Sequence, residues 1–158
     1  MKGDVKLYNI VFPMWSVYFY GIFFLPLWGL LLPANFIVDT LVLFFLFWKL
    51  NLPEKKALYK KSIWRAWGFG FLADFIPSTV MVLISWGDLP FNPYMAIESL
   101  PSFLFTAAGV AAAGWFIYFF HMKYVWRKTE IEEETKQKIA LGMAILTAPY
   151  LMFLPPLG

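Results

Sequence analysis

The sequence predicts an all-α membrane protein, a single domain in which five transmembrane helices form a bundle. Hydrophobic residues make up 61% of the 158 residues and charged residues only 15%, whereas a soluble domain is about half apolar and about a quarter charged. The chain also contains five apolar stretches, most of them near the ~20 residues that a helix needs to cross a bilayer. The Lys and Arg residues lie between these stretches in a pattern that gives one consistent topology.

The apolar stretches give the boundaries of the predicted helices. The first has no charged residue from Leu7 to Leu32 and ends at a turn predicted by Pro33, with Asn35 as the N-cap of the second helix. Tryptophans near the predicted ends, Trp126 among them, support these boundaries because indole favours the headgroup level. The predicted spans are residues 8–32, 34–50, 66–86, 102–125 and 139–157.

The basic residues predict the side of the membrane on which each connection lies. All thirteen lie before the first span, or in and at the edges of the connections between the second and third spans and between the fourth and fifth. The remaining connections, residues 33–35 and 87–101, have none. The positive-inside rule therefore places the N-terminus in the cytoplasm and, after five crossings, the C-terminus outside. If the short second helix did not cross, the basic residues would fall on both sides.

The two basic connections differ in their predicted structure. Residues 51–64 carry Lys side chains all around a helical wheel, so this segment lacks the single polar face of an amphipathic surface helix. After the fourth span, Thr129 and Glu132 form a T-x-x-E capping box that predicts a helix start. Glu134 and Lys138 are four residues apart on that helix and predict an ion pair. We therefore expect the fifth helix to begin about two turns before its membrane span.

Small residues predict where the helices approach each other closely. In lipid there is no hydrophobic force between helices, so close packing of small side chains must hold them together. The fourth helix has Gly109, Ala112 and Ala113 in a run of small residues that covers its circumference, which predicts a central position. The fifth helix has Ala144 in a stripe of alanines spaced four apart. This stripe predicts packing within the chain or, as the alternative, the seam of a homodimer.

Three ionisable side chains within the spans are the candidate functional residues, because a charge there costs ~2.5–3.5 kcal/mol. Asp74 is predicted near mid-membrane beside Pro77, which lacks an N–H and so frees the carbonyl of residue 73. Two hydroxyl residues follow Pro77. Asp39 is predicted near the outer interface and His121 about one turn from the cytoplasmic end. One interpretation is that the three residues form an ion or proton site. The alternative is that Asp74 is a neutral structural residue and that Asp39 and His121 are interfacial residues.

The motifs of common enzymes are missing from the sequence. With one His and no Cys, zinc sites of the H-E-x-x-H or C-x-x-C type are excluded. There is also no G-x-S-x-G elbow, no phosphate-binding glycine loop and no potassium-filter motif. The sequence therefore predicts a protein without catalytic residues, metal centre or cofactor. The net charge of +3 gives no argument for nucleic acid, since the basic residues follow the topology.

Three stretches carry a resemblance to other proteins. The segments LLPANFIVDTLVL, GFLADFIPS and AILTAPYLMFLPP resemble small, uncharacterised multi-span membrane proteins of Gram-positive bacteria. The resemblance implies the multi-span topology and a bacterial plasma membrane. It implies no activity and no site residues.

Two functions remain open at this stage. The first is a small ion- or proton-handling transporter or channel subunit that uses Asp74. The second is a non-catalytic accessory or assembly subunit of a larger membrane complex, whose small-residue faces dock on a partner. Both predict the lipid bilayer as the surroundings and either a homo-oligomer or a partner membrane subunit. A polar cavity at Asp74 would favour the first, and an exposed small-residue groove would favour the second.

Overall fold

A computed structural model describes residues 25–93 and 95–154, and every regular element in these ranges is helical. The all-α prediction is thus confirmed for the described residues. Three helical stretches are long and apolar enough to cross a membrane, Leu32–Lys49, Lys55–Ser85 and Leu100–Val125. Most of the predicted first span, residues 8–24, lies outside the described residues. The elements are α1 (Leu25–Lys49), α2 (Lys55–Ser85), α3 (Leu100–Phe120), a π-helical turn (His121–Val125), α4 (Glu133–Leu146) and a 3-10 helix (Tyr150–Phe153).

The four α-helices pack as a ring around one interior. Helix α2 lies between α1 and α3, and α4 closes the ring by packing against both α3 and α1. Each helix contributes buried apolar side chains to this interior, such as Phe47, Ala73, Ile117 and Met143. The outward faces are also apolar, with large exposed hydrophobic side chains on all four helices. A helix that is apolar all round is typical of a membrane span.

Helix α1 continues through the turn predicted at Pro33. The predicted break at residues 33–35 is wrong, and Asn35 is not an N-cap, because both lie inside Leu25–Lys49. Breaking a helix in lipid would leave several backbone groups without partners. A proline inside a membrane helix leaves only one carbonyl free, and it is tolerated where neighbouring groups supply hydrogen bonds. Trp67 of α2 donates from Nε1 to the carbonyl of Leu32, at 3.2 Å, which ties α2 to this part of α1, although the carbonyl that Pro33 leaves free is that of residue 29.

Helix α2 is longer than the predicted third span because it includes most of the basic connection. It begins at Lys55, and Lys60 and Lys61 lie within it, so the connection to α1 is only residues 50–54. Two of these residues, Asn51 and Glu54, have positive φ angles of 48° and 51°. This left-handed backbone conformation lets the chain turn back from α1 into α2 within five residues. The apolar part, residues 66–85, is ~30 Å long at ~1.5 Å per residue, the thickness of a bilayer core.

Helix α3 agrees closely with the predicted fourth span. Ser99 caps its start by accepting a hydrogen bond from the backbone N–H of Ser102 at 3.3 Å. At the other end the helix widens into a π-helical turn, in which the N–H of Trp126 reaches the carbonyl of His121, five residues back, at 3.1 Å. This widened turn was not predicted from the sequence.

Helix α4 differs from the predicted fifth helix at both ends. It begins at Glu133 rather than after Thr129, whose hydroxyl donates to the carbonyl of Trp126, at 2.8 Å, instead of capping a helix. It ends at Leu146, and a turn leads into the 3-10 helix, so residues 139–154 are not one regular helix. The 3-10 helix packs along α3, and its Met152 is buried against Val110.

Candidate functional site

Two carboxyl groups from different helices lie in the interior of the bundle. Asp39 belongs to α1 and Asp74 to α2, and their residues are only 2% and 3% exposed. The sequence placed Asp39 about one turn into its helix, and this part of the prediction is wrong. Because α1 begins at Leu25, Asp39 lies about four turns into the helix, at ~3.6 residues per turn. The structure therefore brings together two residues that the sequence placed at different depths.

Gly70 allows the carboxyl group of Asp39 to pack against α2. A Cβ atom at Gly70 would lie 3.2 Å from Oδ2 of Asp39, closer than an ordinary van der Waals contact. Gly70 precedes Asp74 by four residues, so the two lie on the same face of α2. The carboxyl groups of Asp39 and Asp74 are near enough to interact electrostatically. We refer to Asp39, Gly70 and Asp74 as the carboxyl site.

The carboxyl site contains acceptors without hydrogen-bond partners among the described residues. Oδ2 of Asp39 and Oδ1 of Asp74 are both buried and unpartnered. The hydroxyl groups expected to help Asp74 are used by the helix itself. Ser78 donates to the backbone carbonyl of Asp74 at 2.6 Å, and Thr79 donates to the carbonyl of Phe75 at 2.9 Å. Buried polar atoms are nearly always hydrogen-bonded, so such exceptions ask for a functional or solvent explanation.

The chemistry open to two buried carboxyl groups is narrow. An ionised carboxylate in an apolar interior is very costly unless a partner neutralises it, and two neighbouring carboxylates also repel each other. The pair is therefore suited to hold a proton or a small cation. Among the described residues, no group of three or more His, Cys, Asp and Glu residues could hold a metal ion.

His121 follows the last residue of α3 and is fully buried. Its Nδ1 atom is 2.8 Å from the carbonyl oxygen of Ile117, one turn earlier in α3. Its Nε2 atom has no partner among the described residues, and neither has Nε1 of Trp126. The rings of His121 and Trp126 are 6.2 Å apart. Trp126, expected at the headgroup level, is instead completely buried.

The packing of α2 on α3 gives the depth of His121 relative to Asp74. The ring of Phe69 stacks on Tyr124 with centroids 4.9 Å apart, and Met81 packs on Gly109. Interpolating between these contacts places Asp74 about one turn farther than His121 from the end of the bundle where α2 has its basic start, ~5 Å at ~1.5 Å per residue.

The predicted packing residues lie at two different interfaces. Gly109 and Ala113 are buried, and Gly109 leaves space for the side chain of Met81. Ala144 is buried where α4 meets α3, and its carbonyl oxygen would lie 3.4 Å from a Cβ at Gly114. Ala112 is half-buried.

An open apolar groove of about 400 Å³ runs between α3 and α4. We call it the α3–α4 groove. Neither Asp residue of the carboxyl site lines it, and neither does His121. Its lining includes Ala111, Gly114, Trp115, Leu141 and Ile145.

Sequence reasoning missed Gly70 and Trp126 as members of the polar interior. A signal for Gly70 is present, because it lies four residues before Asp74 on the same helix face. Trp126 has no such signal, because its burial follows from the π-helical turn.

Comparison of the chain with protein-family models, curated proteins and solved structures found no match. The candidate function therefore depends on the residues of the chain itself.

Proposed function

We propose that this chain is a multi-pass membrane protein that binds and releases protons at the carboxyl site, as a small transporter or channel subunit. The observation that carries the proposal is the burial of Asp39 and Asp74, from two helices, near enough to interact electrostatically and with unpartnered oxygen atoms inside the bundle. Ionisable residues within membrane spans mark ion and proton pathways. One buried acid can be purely structural, but a second one beside it adds repulsion whenever both ionise.

A proton suits this site better than a metal ion. Mg²⁺ and Ca²⁺ take six or more oxygen ligands, whereas the carboxyl group of Asp39 stands against Gly70, which has no side chain to offer a ligand. The hydroxyl groups of Ser78 and Thr79 are already bonded to backbone carbonyls. A proton needs only one acceptor oxygen and leaves the pair with at most one negative charge.

The proposal includes a topology of five crossings with the basic ends inside. Helices α1, α2 and α3 supply three of them, and the connection of residues 50–54 lies in the cytoplasm beside the basic start of α2. The fourth is α4 continued by the 3-10 helix, because the ring of Phe153 packs on Phe103 near the outer end of α3, with centroids 5.3 Å apart. The uncharged stretch before Leu25 would supply the remaining crossing. The resemblance to Gram-positive membrane proteins supports a bacterial plasma membrane.

The topology can be tested by labelling, because the chain has no cysteine of its own. Single substitutions Lys56→Cys and Phe91→Cys should react with a membrane-impermeant thiol reagent from opposite sides of the membrane. Labelling of both from the same side would contradict the crossing by α2.

The proton function can be tested in vesicles without knowledge of any other substrate. The purified protein is reconstituted with a pH-sensitive dye inside, and a pH or potential step is applied. Asp74→Asn and Asp39→Asn should each abolish the proton flux of the wild type, because Asn keeps the side-chain shape but cannot bind and release a proton. Asp88→Asn, at an exposed residue of the loop after α2, is the matched control and should leave the flux unchanged.

Two results would contradict this function. Absence of proton flux in correctly folded wild type under both steps would remove it. Wild-type flux that survives both substitutions at the carboxyl site would show that the protons move elsewhere. In the first case the carboxyl site would be a structural pair of neutral acids.

The second candidate function is a non-catalytic accessory subunit, and the α3–α4 groove favours it. Small residues on both of its walls would let a helix of a partner membrane subunit approach closely. A cysteine introduced at Ala111, which is exposed in the groove, should then cross-link in membranes to one defined membrane protein. Cross-linking to a second copy of the chain would indicate a homo-oligomer, and no cross-link would remove this candidate.

A further inference from the structure

The bundle interior contains polar atoms beyond the carboxyl site. Nε2 of His121 and Nε1 of Trp126 are buried without a partner among the described residues, and both residues have no exposed surface. They lie between Asp74 and the basic residues that follow the π-helical turn, Arg127 and Lys128. The carboxyl site is thus continued by polar groups toward one end of the bundle.

The hydrogen bond of His121 determines which ring nitrogen can accept a proton. The carbonyl oxygen of Ile117 can only accept, so Nδ1 at 2.8 Å carries the hydrogen and donates it. A neutral imidazole has one donor and one acceptor nitrogen. Nε2 is therefore the basic atom, and it is the atom without a partner.

The π-helical turn places Trp126 beside His121. In a regular α-helix, residues three and four apart are neighbours on one face, so residue 126 would not lie over residue 121. The hydrogen bond from the N–H of Trp126 to the carbonyl of His121 spans five residues and brings the two rings to 6.2 Å between centroids. Such π-helical turns are frequent at functional sites.

The donor of Trp126 and the acceptor of His121 are complementary. Nε1 of tryptophan is only a donor and Nε2 of this histidine is an acceptor. No direct hydrogen bond joins the two atoms, and one bridging water would satisfy both, because a buried water needs polar partners on more than one side. Lys123, the charged residue of the same turn, does not compete, because it is exposed and its Nζ lies over the rings of Phe119 and Tyr124.

We propose that His121 transfers protons between the basic end of the bundle and the carboxyl site, with Trp126 holding the water that delivers them. This inference depends on the proposed function and adds its route. The water accepts a proton from the solvent at the basic end as it passes one of its own to Nε2, so the water stays neutral and an imidazolium forms. The imidazolium then releases the proton of Nε2 toward the carboxylate of Asp74, which becomes a carboxylic acid, and the neutral imidazole is restored. The remaining ~5 Å in depth, about one helical turn, allows one further water between them.

The first test uses the fact that His121 is the only histidine of the chain. Nitrogen-15 labelling of histidine gives two ring signals that need no further assignment. In the wild type near neutral pH, we expect Nδ1 to be protonated and Nε2 to be unprotonated. The opposite tautomer, with the proton on Nε2, would overturn the proposal whether or not the protein moves protons.

The second test is the proton flux of two variants in the same vesicles. His121→Phe should lower the flux roughly a hundredfold, the lower end of what a positioned proton-transferring side chain contributes. Trp126→Phe keeps an aromatic ring but loses the N–H, and it should lower the flux by a smaller factor without changing the tautomer of His121. Trp115→Phe, at an exposed position of the α3–α4 groove, is the control and should have no effect.

The outcomes separate this inference from the proposed function. Flux lost in Asp74→Asn but unchanged in His121→Phe would overturn the route through His121 and leave the carboxyl site in place. No flux in the wild type would overturn both. If His121→Phe does not fold, Trp126→Phe decides, and unchanged flux in that variant would overturn the role of Trp126.

Discussion

The interface between α1 and α2 and the interface between α3 and α4 both depend on glycine, with different results. At the first, Gly70 provides space for the carboxyl group of Asp39, whose Oδ2 would be 3.2 Å from a Cβ there. At the second, Gly114 allows the approach of a backbone carbonyl, that of Ala144, 3.4 Å from the corresponding Cβ position. A glycine in a membrane helix therefore indicates only a close approach. The group opposite decides whether the approach serves packing or chemistry.

The two interfaces also differ in what they bury. The interior next to α1 and α2 encloses polar atoms without partners among the described residues, which lowers stability. The α3–α4 groove is apolar and open, so its residues face lipid or a partner helix. Substitutions should therefore be costly in the interior and mild in the groove.

The largest expected difference is between two tryptophans. Trp126→Ala should lower the free energy of unfolding by ~3–5 kcal/mol, because the side chain is completely buried and its loss leaves a cavity. Trp115→Ala should change it by about 0.5 kcal/mol or less, because Trp115 is 58% exposed in the groove. Denaturant unfolding of both variants in one detergent measures the difference. Similar losses would show that the groove is part of the core.

The next largest effect tests the conclusion about glycines. Gly142→Leu should destabilise the fold by ~1–3 kcal/mol through overpacking, because even a Cβ would lie 2.6 Å from a methyl carbon of Leu46 on α1. Gly68→Ala is the control, since nothing lies within 4 Å of its Cβ position. Alanine there should stabilise the helix by roughly 0.5–1 kcal/mol. Equal effects of the two substitutions on the unfolding midpoint would contradict the packing of α4 on α1.

The substitution Gly70→Ala should have a smaller effect on stability, and it distinguishes the α1–α2 interface from the α3–α4 interface. Gly70→Ala requires the carboxyl group of Asp39 to move by a few tenths of an ångström, since 3.2 Å is a tight contact. The gain in helix propensity of roughly 0.5–1 kcal/mol should largely offset this cost, so the unfolding midpoint should change little. Proton flux should nevertheless fall, because the carboxyl site is displaced. Gly114→Ala should leave both quantities near their wild-type values, and a matching loss of flux there would contradict a local effect.

The sequence was sufficient for the helical class and for singling out Asp74 as a buried acid within a span. An uncharged stretch such as residues 102–125 has few alternatives to a membrane helix, and α3 with its π-helical turn covers that stretch. An acid in the middle of an apolar helix is equally conspicuous. These features depend on local composition, which a single sequence displays.

The pairing of Asp39 with Asp74 could not be predicted, because it depends on a proline and a packing contact. In soluble proteins Pro33 followed by Asn35 is a good signal for a turn. In lipid a continuous helix is preferred because it keeps most backbone groups bonded, and α1 therefore runs from Leu25 to Lys49. The predicted start of α4 at Thr129 is wrong for a related reason. Thr129 donates to the carbonyl of Trp126, a contact created by the unpredicted π-helical turn.

The smallest effect is expected at the charged start of α4, which belongs to neither interface. Glu134 and Lys138 form an ion pair of 2.6 Å on the exposed face of the helix. The hydrogen bond from Lys138 lowers the pKa of Glu134, and the same bond raises the pKa of Lys138. For Glu134, the stabilisation is present above its unfolded pKa and is lost as the pH falls through the lowered folded value. For Lys138, it is present below the unfolded pKa and is lost as the pH rises through the raised folded value.

The contribution of this pair is therefore constant across the neutral range and fades only at the acid and alkaline ends. Because both side chains are exposed to solvent, screening leaves little net stabilisation. A double-mutant cycle with Glu134→Gln and Lys138→Met, followed by thermal unfolding, should give no measurable coupling at neutral pH. Added salt should change nothing further, since salt screens exposed charges. A clear coupling would mean that this end of α4 is shielded from water, by lipid headgroups or a bound partner, and that the exposed start of the helix is part of an interface after all.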